Sequence, residues 1–219
     1  MIALIDYGAG NLTSVRKALA ALGAEHRTPA APGELADARV IIVPGVGHFA
    51  ATARLEAAWR AAILARVDAG CTLLGVCVGM QWLYEGSTEA PDVPGLGLLR
   101  GRCERLPDRD PSGARLKVPH VGWNALEPRR SSPLLDGIEP GSQVYFTHSY
   151  AAPVTEDTVA ATEYGIRFAA LVARGRVAGM QFHPEKSGTA GLRLLRNFLE
   201  GVPAQSDAVE TDHRLSRRP

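Results

Sequence analysis

The feature that most constrains this chain is an elbow: Leu73-Leu74-Gly75-Val76-Cys77-Val78-Gly79-Met80-Gln81-Trp82-Leu83. The apolar run up to Val76 predicts a buried strand. A helical pattern starts directly after Cys77, with small glycines at 75 and 79 on either side. A strand that feeds straight into a helix holds the residue between them on a sharp, exposed turn, where nucleophiles sit in α/β hydrolytic enzymes. The helix N-terminus behind Cys77 offers free N–H groups and a positive dipole end, both of which favour a thiolate. An ordinary cysteine, with a pKa of about 8.5, is only a few per cent thiolate at neutral pH. The elbow alone also fits a buried structural thiol. The rest of the sequence must supply a base.

On either side of the elbow the chain alternates strands and helices. Residues 2–6 read as a strand, followed by the loop Tyr7-Gly8-Ala9-Gly10-Asn11-Leu12-Thr13-Ser14. Val15, Ala18, Leu19 and Leu22 then recur at helical spacing up to a cap at Gly23. G-A-G-N is not the dinucleotide fingerprint, so the loop reads as a tight turn or as part of a functional rim. Residues 24–28 form a weak strand, and Val40-Ile41-Ile42-Val43 a strong one suited to a central parallel position. It ends in Pro44-Gly45-Val46-Gly47-His48-Phe49, whose glycines can turn N–H groups outward as an oxyanion nest does. Residues 50–69 are Ala-rich and predict one helix closed by Gly70. Repeated strand–helix units argue for a right-handed, parallel α/β sheet.

From 96 to about 182 the pattern changes to short strands and turns: 98–106, 117–126, 143–150, 159–164, 168–173 and 177–182, the last two joined by a hairpin at Arg174-Gly175. The final strand runs into His183-Pro184-Glu185-Lys186-Ser187-Gly188. Pro184 pushes His183 into an extended conformation. In an extended segment residues two apart point the same way, so His183 and Glu185 project together. Residues 187–200 predict a helix with Leu192, Leu195, Phe198 and Leu199 inward. Residues 201–219 are polar and unpatterned, a flexible tail. The expected organisation is one domain over 1–200 plus that tail.

Composition narrows the function classes. The 219 residues carry a net charge of +1 with 46% hydrophobic residues, and no basic stripe points to nucleic acid. No apolar run approaches the ~18 residues of a membrane span, and the N-terminus reads as a strand, not a signal peptide. The three cysteines, 71, 77 and 103, form neither a disulfide framework nor a zinc motif, which favours a reducing cytoplasm. No metal site or cofactor is expected. Of the six histidines, His26 and His213 read as incidental, His48 follows the glycine turn, and His120 and His148 sit among aromatics as packed or rim residues. Only His183 has an acid placed to orient it, and a base plus orienting carboxylate is what a cysteine nucleophile requires.

Gly75-Val76-Cys77-Val78-Gly79-Met80-Gln81 together with His183-Pro184-Glu185 resembles the class I (triad) glutamine amidotransferases, with Pro44–Gly47 similar to their oxyanion strand. Asp6-Tyr7-Gly8-Ala9-Gly10-Asn11-Leu12, Val118-Pro119-His120-Val121-Gly122-Trp123-Asn124 and Tyr145-Phe146-Thr147-His148-Ser149-Tyr150 narrow the likeness to the glutaminase subunits of imidazole glycerol phosphate synthases, of histidine biosynthesis. The likeness runs from residue 2 to about 200. Val78 stands where that pattern usually has Leu, a tolerable change if a backbone N–H is what serves.

The resemblance implies a three-layer α/β fold: a central, mostly parallel sheet flanked by helices, with an antiparallel β-rich second half. It implies Cys77, His183 and Glu185 as catalytic residues, Gly47 and Val78 as oxyanion donors, and Gln81, Glu89, Ser149 and Tyr150 as glutamine-binding residues. It places Asn11, Trp123, Tyr145 and Lys186 at the interface with a (β/α)8-barrel cyclase in a heterodimer. Glutamine hydrolysis would then feed ammonia to that partner, which converts PRFAR to imidazole glycerol phosphate and AICAR. The glutaminase of a different synthase, a non-catalytic module on the same scaffold and a cysteine peptidase are the competing readings.

Overall fold

The computed structural model describes residues 1–201; residues 202–219, which hold nearly all of the expected tail, lie outside the described residues. The chain runs β1 (Ile2–Leu4), α1 (Leu12–Ala21), β2 (His26–Arg27), β3 (Val40–Gly45), α2 (Ala57–Asp68), β4 (Thr72–Cys77), α3 (Val78–Leu83), β5 (Gly86–Ser87) and β6 (Arg102–Arg105). It continues with β7 (His120–Ala125), β8 (Glu127–Pro128), β9 (Gln143–His148), β10 (Tyr150–Ala151), β11 (Thr158–Tyr164), β12 (Ile166–Arg174), β13 (Val177–Met180) and α4 (Gly188–Glu200).

The main sheet has eight strands in the order β2-β1-β3-β4-β13-β12-β11-β8. β2, β1, β3, β4 and β13 are mutually parallel, and β12, β11 and β8 extend the sheet antiparallel. β3 and β4 are buried at every position, the pattern of strands covered on both faces. Four strands of the second half, β8, β11, β12 and β13, therefore belong to the main sheet. The last of them, β13, reached through a tight turn with Gly175 at φ 56°, slots in parallel beside β4, with Val177 opposite Leu73 and Met180 opposite Val76. The strand carrying the nucleophile candidate thus lies between the strand leading to the glycine turn and the strand leading to His183. Two smaller sheets, β10-β6-β5 and β7-β9, flank this end.

Three local expectations are corrected. The single helix over 50–69 is instead a 3-10 turn at Phe49–Arg54 followed by α2. The first turn is tied to its surroundings, with Ala50 N–H donating to His48 Nδ1 at 3.1 Å and Phe49 N–H to Glu89 Oε2 at 2.8 Å, and the chain restarts at Glu56. His183 is extended (φ −95°, ψ 100°) but Pro184–Lys186 is a 3-10 turn, so Glu185 comes to His183 by curling back. In α4, Leu194, Leu195 and Phe198 are buried while Leu192 and Leu199 are only partly so. Asn197 joins the inward face because its side chain caps the Leu134 and Asp136 carbonyls at 2.9 and 2.8 Å.

Candidate active site

Cys77 has φ 54° and ψ −112°, and it is the one non-glycine residue with positive φ among those described. Such a conformation costs about 1–3 kcal/mol and persists only where its surroundings over-determine it. Here they do. Gly75 and Gly79 let α3 lie directly on β3 and β4: a Cβ on Gly79 would overlap the Val43 carbonyl, and one on Gly75 would sit 2.5 Å from the Gly79 oxygen. Gly45 pairs with Cys77 across the strands, and a side chain there would strike the Tyr7 hydroxyl and the start of α3. The glycines of the elbow are thus required by the approach of a helix to two strands. Cys77 is 2% exposed, yet it lines a cleft of about 500 Å³.

His183 follows β13. Its Nδ1 lies 2.9 Å from Glu185 Oε1, and both side chains are 2% exposed. Nε2 is buried and faces Cys77, with no other hydrogen-bond partner. Burial lowers the pKa of the ring. Hydrogen bonding and charge attraction from Cys77 and Glu185 outweigh that and raise it to about 9. Ser187, which sequence reasoning left as part of a motif, fixes the turn: its hydroxyl donates to the His183 carbonyl at 2.6 Å and accepts the Tyr145 N–H at 2.9 Å. The His183 N–H in turn donates to the Tyr145 carbonyl at 2.9 Å.

The cleft gathers most of the remaining candidates. Gly47 (φ 85°) and Val78 line it; Val78 is the first residue of α3, where backbone N–H groups have no partner within the helix. The neighbouring Val46 N–H is committed elsewhere, to the Ala9 carbonyl at 2.7 Å. Gln81, Glu89, Ser149 and Tyr150 line the same cleft. Gln81 Nε2 donates to the Tyr150 carbonyl at 2.8 Å, and Glu89 Oε2 holds the Phe49 N–H, tying the wall to the turn after the glycines. Asn11 also reaches the cleft, with its Oδ1 accepting the Ser14 N–H at 3.4 Å as the N-cap of α1.

Beside the cleft, Trp123 is 55% and Val121 51% exposed on β7. Trp123 packs edge-on against Tyr145 at 5.9 Å between ring centroids, and Lys186 Nζ stands over the Tyr145 ring at 5.9 Å. Asn11, Trp123, Tyr145 and Lys186 thus fall in two groups, Asn11 on the α1 side of the cleft and the other three as one cluster. His120 and His148 are packed residues: their rings meet at 3.2 Å and burial lowers their pKa values to about 4 and about 3. Tyr7, quoted above only as part of a motif and with no role of its own, also faces this site. Its hydroxyl is buried without a partner, and burial, then the charge at Cys77, push the phenol well above its usual range.

An elbow cysteine, a buried histidine–carboxylate pair on the adjacent strand end and a glycine turn on the other define a class. The family model for glutamine amidotransferase class-I matches residues 3–202, and the chain belongs to that family. Within it the chain groups with proteins named imidazole glycerol phosphate synthase subunit HisH. It is 50% identical to that of Bacillus velezensis over 209 residues, covering 94% of this chain and 98% of the relative. It is 48% identical to that of Geobacillus kaustophilus (91% and 96%) and 44% identical to that of Methanosarcina acetivorans (91% and 98%). A crystal structure of a glutamine amidotransferase superposes with a TM-score of 0.69 at 25% identity, covering 91% of this chain and 98% of that one. PurLQS from Thermotoga maritima shares the fold, with a TM-score of 0.67 at 20% identity.

Proposed function

We propose that this protein is the glutaminase subunit of an imidazole glycerol phosphate synthase, in histidine biosynthesis, and that Cys77, His183 and Glu185 carry the hydrolysis. The observation that carries the residue roles is the buried His183–Glu185 pair whose second imidazole nitrogen faces Cys77 and has no other partner. The names of the relatives support the choice of synthase.

The Cys77 thiolate attacks the side-chain amide carbon of glutamine. Negative charge moves to the amide oxygen, which the Gly47 and Val78 N–H groups receive; one such donor is worth roughly 3 kcal/mol of barrier. His183, protonated at neutral pH, gives its Nε2 proton to the departing nitrogen. The carbon–nitrogen bond breaks, ammonia leaves and a γ-glutamyl thioester remains. Neutral His183 then takes a proton from water as the water attacks the thioester, and glutamate departs with restoration of the thiolate–imidazolium pair. Glu185 keeps Nδ1 protonated throughout. Gln81, Ser149 and Tyr150 hold the substrate, and Glu89 faces its ammonium group.

Two features support a partner-dependent cycle. The Val46 N–H is bonded to the Ala9 carbonyl, which pins the Pro44–Gly47 turn, so the turn has a bond to release before it can re-aim the Gly47 N–H at an oxyanion. The exposed Trp123 and Val121 beside the cleft, with Tyr145, Lys186 and Asn11, offer a surface for the (β/α)8-barrel cyclase that uses ammonia to convert PRFAR to imidazole glycerol phosphate and AICAR. The three cysteines are free and buried, and no helix among the described residues is long and apolar enough to cross a membrane, which fits a cytoplasmic site of action.

The test is to treat the full chain, alone and with the cyclase, with an electrophilic glutamine analogue and to read intact mass and coupled turnover. A single adduct on Cys77, lost in Cys77→Ser, is expected, with turnover raised by the cyclase and its nucleotide ligand. Absence of an adduct even in the complex would reject the enzymatic reading. Ammonia transfer only to another synthase would reject the assignment to histidine biosynthesis.

A further inference from the structure

We propose that Gln181 donates a hydrogen bond to the Cys77 sulfur and that its amide is held in that orientation by Gln81 and the Tyr150 carbonyl. This rests on the reading of Cys77 as the nucleophile.

Gln181 lies one residue beyond β13 and two before His183, and it is 0% exposed. A primary amide with no access to water must find partners inside, because an unsatisfied one costs about 1–3 kcal/mol. Its main chain is fixed by its N–H donating to the Ala170 carbonyl at 2.9 Å. Its side chain has two neighbours: Oε1 lies 3.1 Å from Gln81 Nε2, and Nε2 lies 3.8 Å from Cys77 Sγ.

The two ends of a carboxamide have the same shape, so its orientation must come from the bonding network. Here that network begins at a group with no ambiguity. The Tyr150 carbonyl can only accept, and Gln81 meets it at 2.8 Å, so the Gln81 nitrogen faces that way. The second N–H of the same nitrogen then meets Gln181, which must present its oxygen. That leaves the Gln181 nitrogen toward the sulfur. Flipping Gln181 would set donor against donor at Gln81 and a carbonyl oxygen against the thiolate, two repulsive contacts around a fully buried amide. The anchor is held from a second side by His148 Nδ1, 2.8 Å from the Tyr150 carbonyl. His148 must therefore protonate Nδ1 and accept at Nε2 from His120 Nδ1.

Cys77 consequently has a partner for each protonation state. As a thiol it donates toward the Thr147 carbonyl, 3.9 Å away. As a thiolate it receives the Gln181 N–H. The titratable groups around the sulfur are His183 and, behind it, Glu185, Tyr7 after β1, His148 of β9, and Glu89 and Lys186 of the cleft wall. None of these is altered by substitution at 181.

The experiment follows alkylation of Cys77 by iodoacetamide in the full chain across pH 5–10, read by peptide mass. Cys71 and Cys103 are internal controls: both are buried, and burial raises the Cys71 thiol to about 11 despite nearby arginines. Gln181→Met removes the donor at similar volume. Its Cys77 profile is expected to move up by about one pH unit, with alkylation slowed about fivefold at the original midpoint and about tenfold well below it. The half-saturating concentration of the electrophilic glutamine analogue should stay within about threefold. If Gln181→Met does not fold, Gln181→Leu carries the test, since it also removes the donor and adds no charge beside the sulfur; its profile should also move up. A profile that superimposes on the parent's in the folded variant overturns the proposal, whatever the change in thermal midpoint. Failure of the parent Cys77 to take the analogue at all overturns the nucleophile reading instead.

Discussion

His183 is pulled in two directions, and the balance is functional. Burial alone would lower its pKa and leave it neutral, yet Cys77 and Glu185 bring it to about 9. Glu185→Gln keeps the shape and removes the charge. Turnover of glutamine should fall on the order of 10²–10⁴-fold, with a KM within about threefold, measured by glutamate release in the complex with the cyclase. The same variant should change stability in a defined window. A histidine whose folded pKa exceeds its unfolded value of about 6.5 adds stability that is complete below that value and is lost as pH rises through the folded one. The parent's thermal midpoint should therefore fall more steeply between pH 6.5 and 9 than that of Glu185→Gln. The pair itself was readable because it is local: histidine, proline and acid in sequence. Ser187 and Gln181 were not, because their partners Tyr145, Gln81 and Cys77 come from distant segments that the fold alone brings together.

Among the elements, α3 is the one with least freedom. It is six residues long and buried at every position, and it rests on main-chain atoms of β3 through Gly79. Gly79→Ala should force α3 away from Val43 and shift the Cys77 elbow. A loss of at least about 3 kcal/mol in chemical denaturation is expected from overpacking against rigid backbone, together with loss of the Cys77 adduct. A parent-like stability would contradict the close approach. The elbow and the parallel strands β3 and β4 were legible because apolar runs and glycine punctuation are local signals. The break at Leu55-Glu56 was not, since no glycine or proline announces it; the contact of Phe49 with Glu89, forty residues on, sets the first turn apart. Likewise the short strands and turns over 96–182 marked the antiparallel second half as a region, but the seat of β13 beside β4 is a pairing decision that no periodicity records.

At the scale of the molecule, one end of the sheet holds the cleft, and the exposed apolar residues Val121 and Trp123 stand beside it on β7, the partner of the strand that gives Thr147 and His148 to its wall. An exposed tryptophan of this kind contributes little to folding, whereas aromatic anchors dominate interfaces. Trp123→Ala should leave the thermal midpoint within about 2 °C of the parent while weakening cyclase binding by at least tenfold in titration calorimetry; unchanged binding would place the docking surface elsewhere. The insertion of β13 between β4 and β12 has a consequence for biosynthesis. While the chain is being made, Cys77 emerges about one hundred residues before His183, and β4 waits with an open edge until β13 arrives. A chain that stops short carries the nucleophile without its base and exposes strand edges of the kind that aggregate. Catalytic competence is therefore a late event, and glutamine is safe from the nascent chain until the sheet is closed.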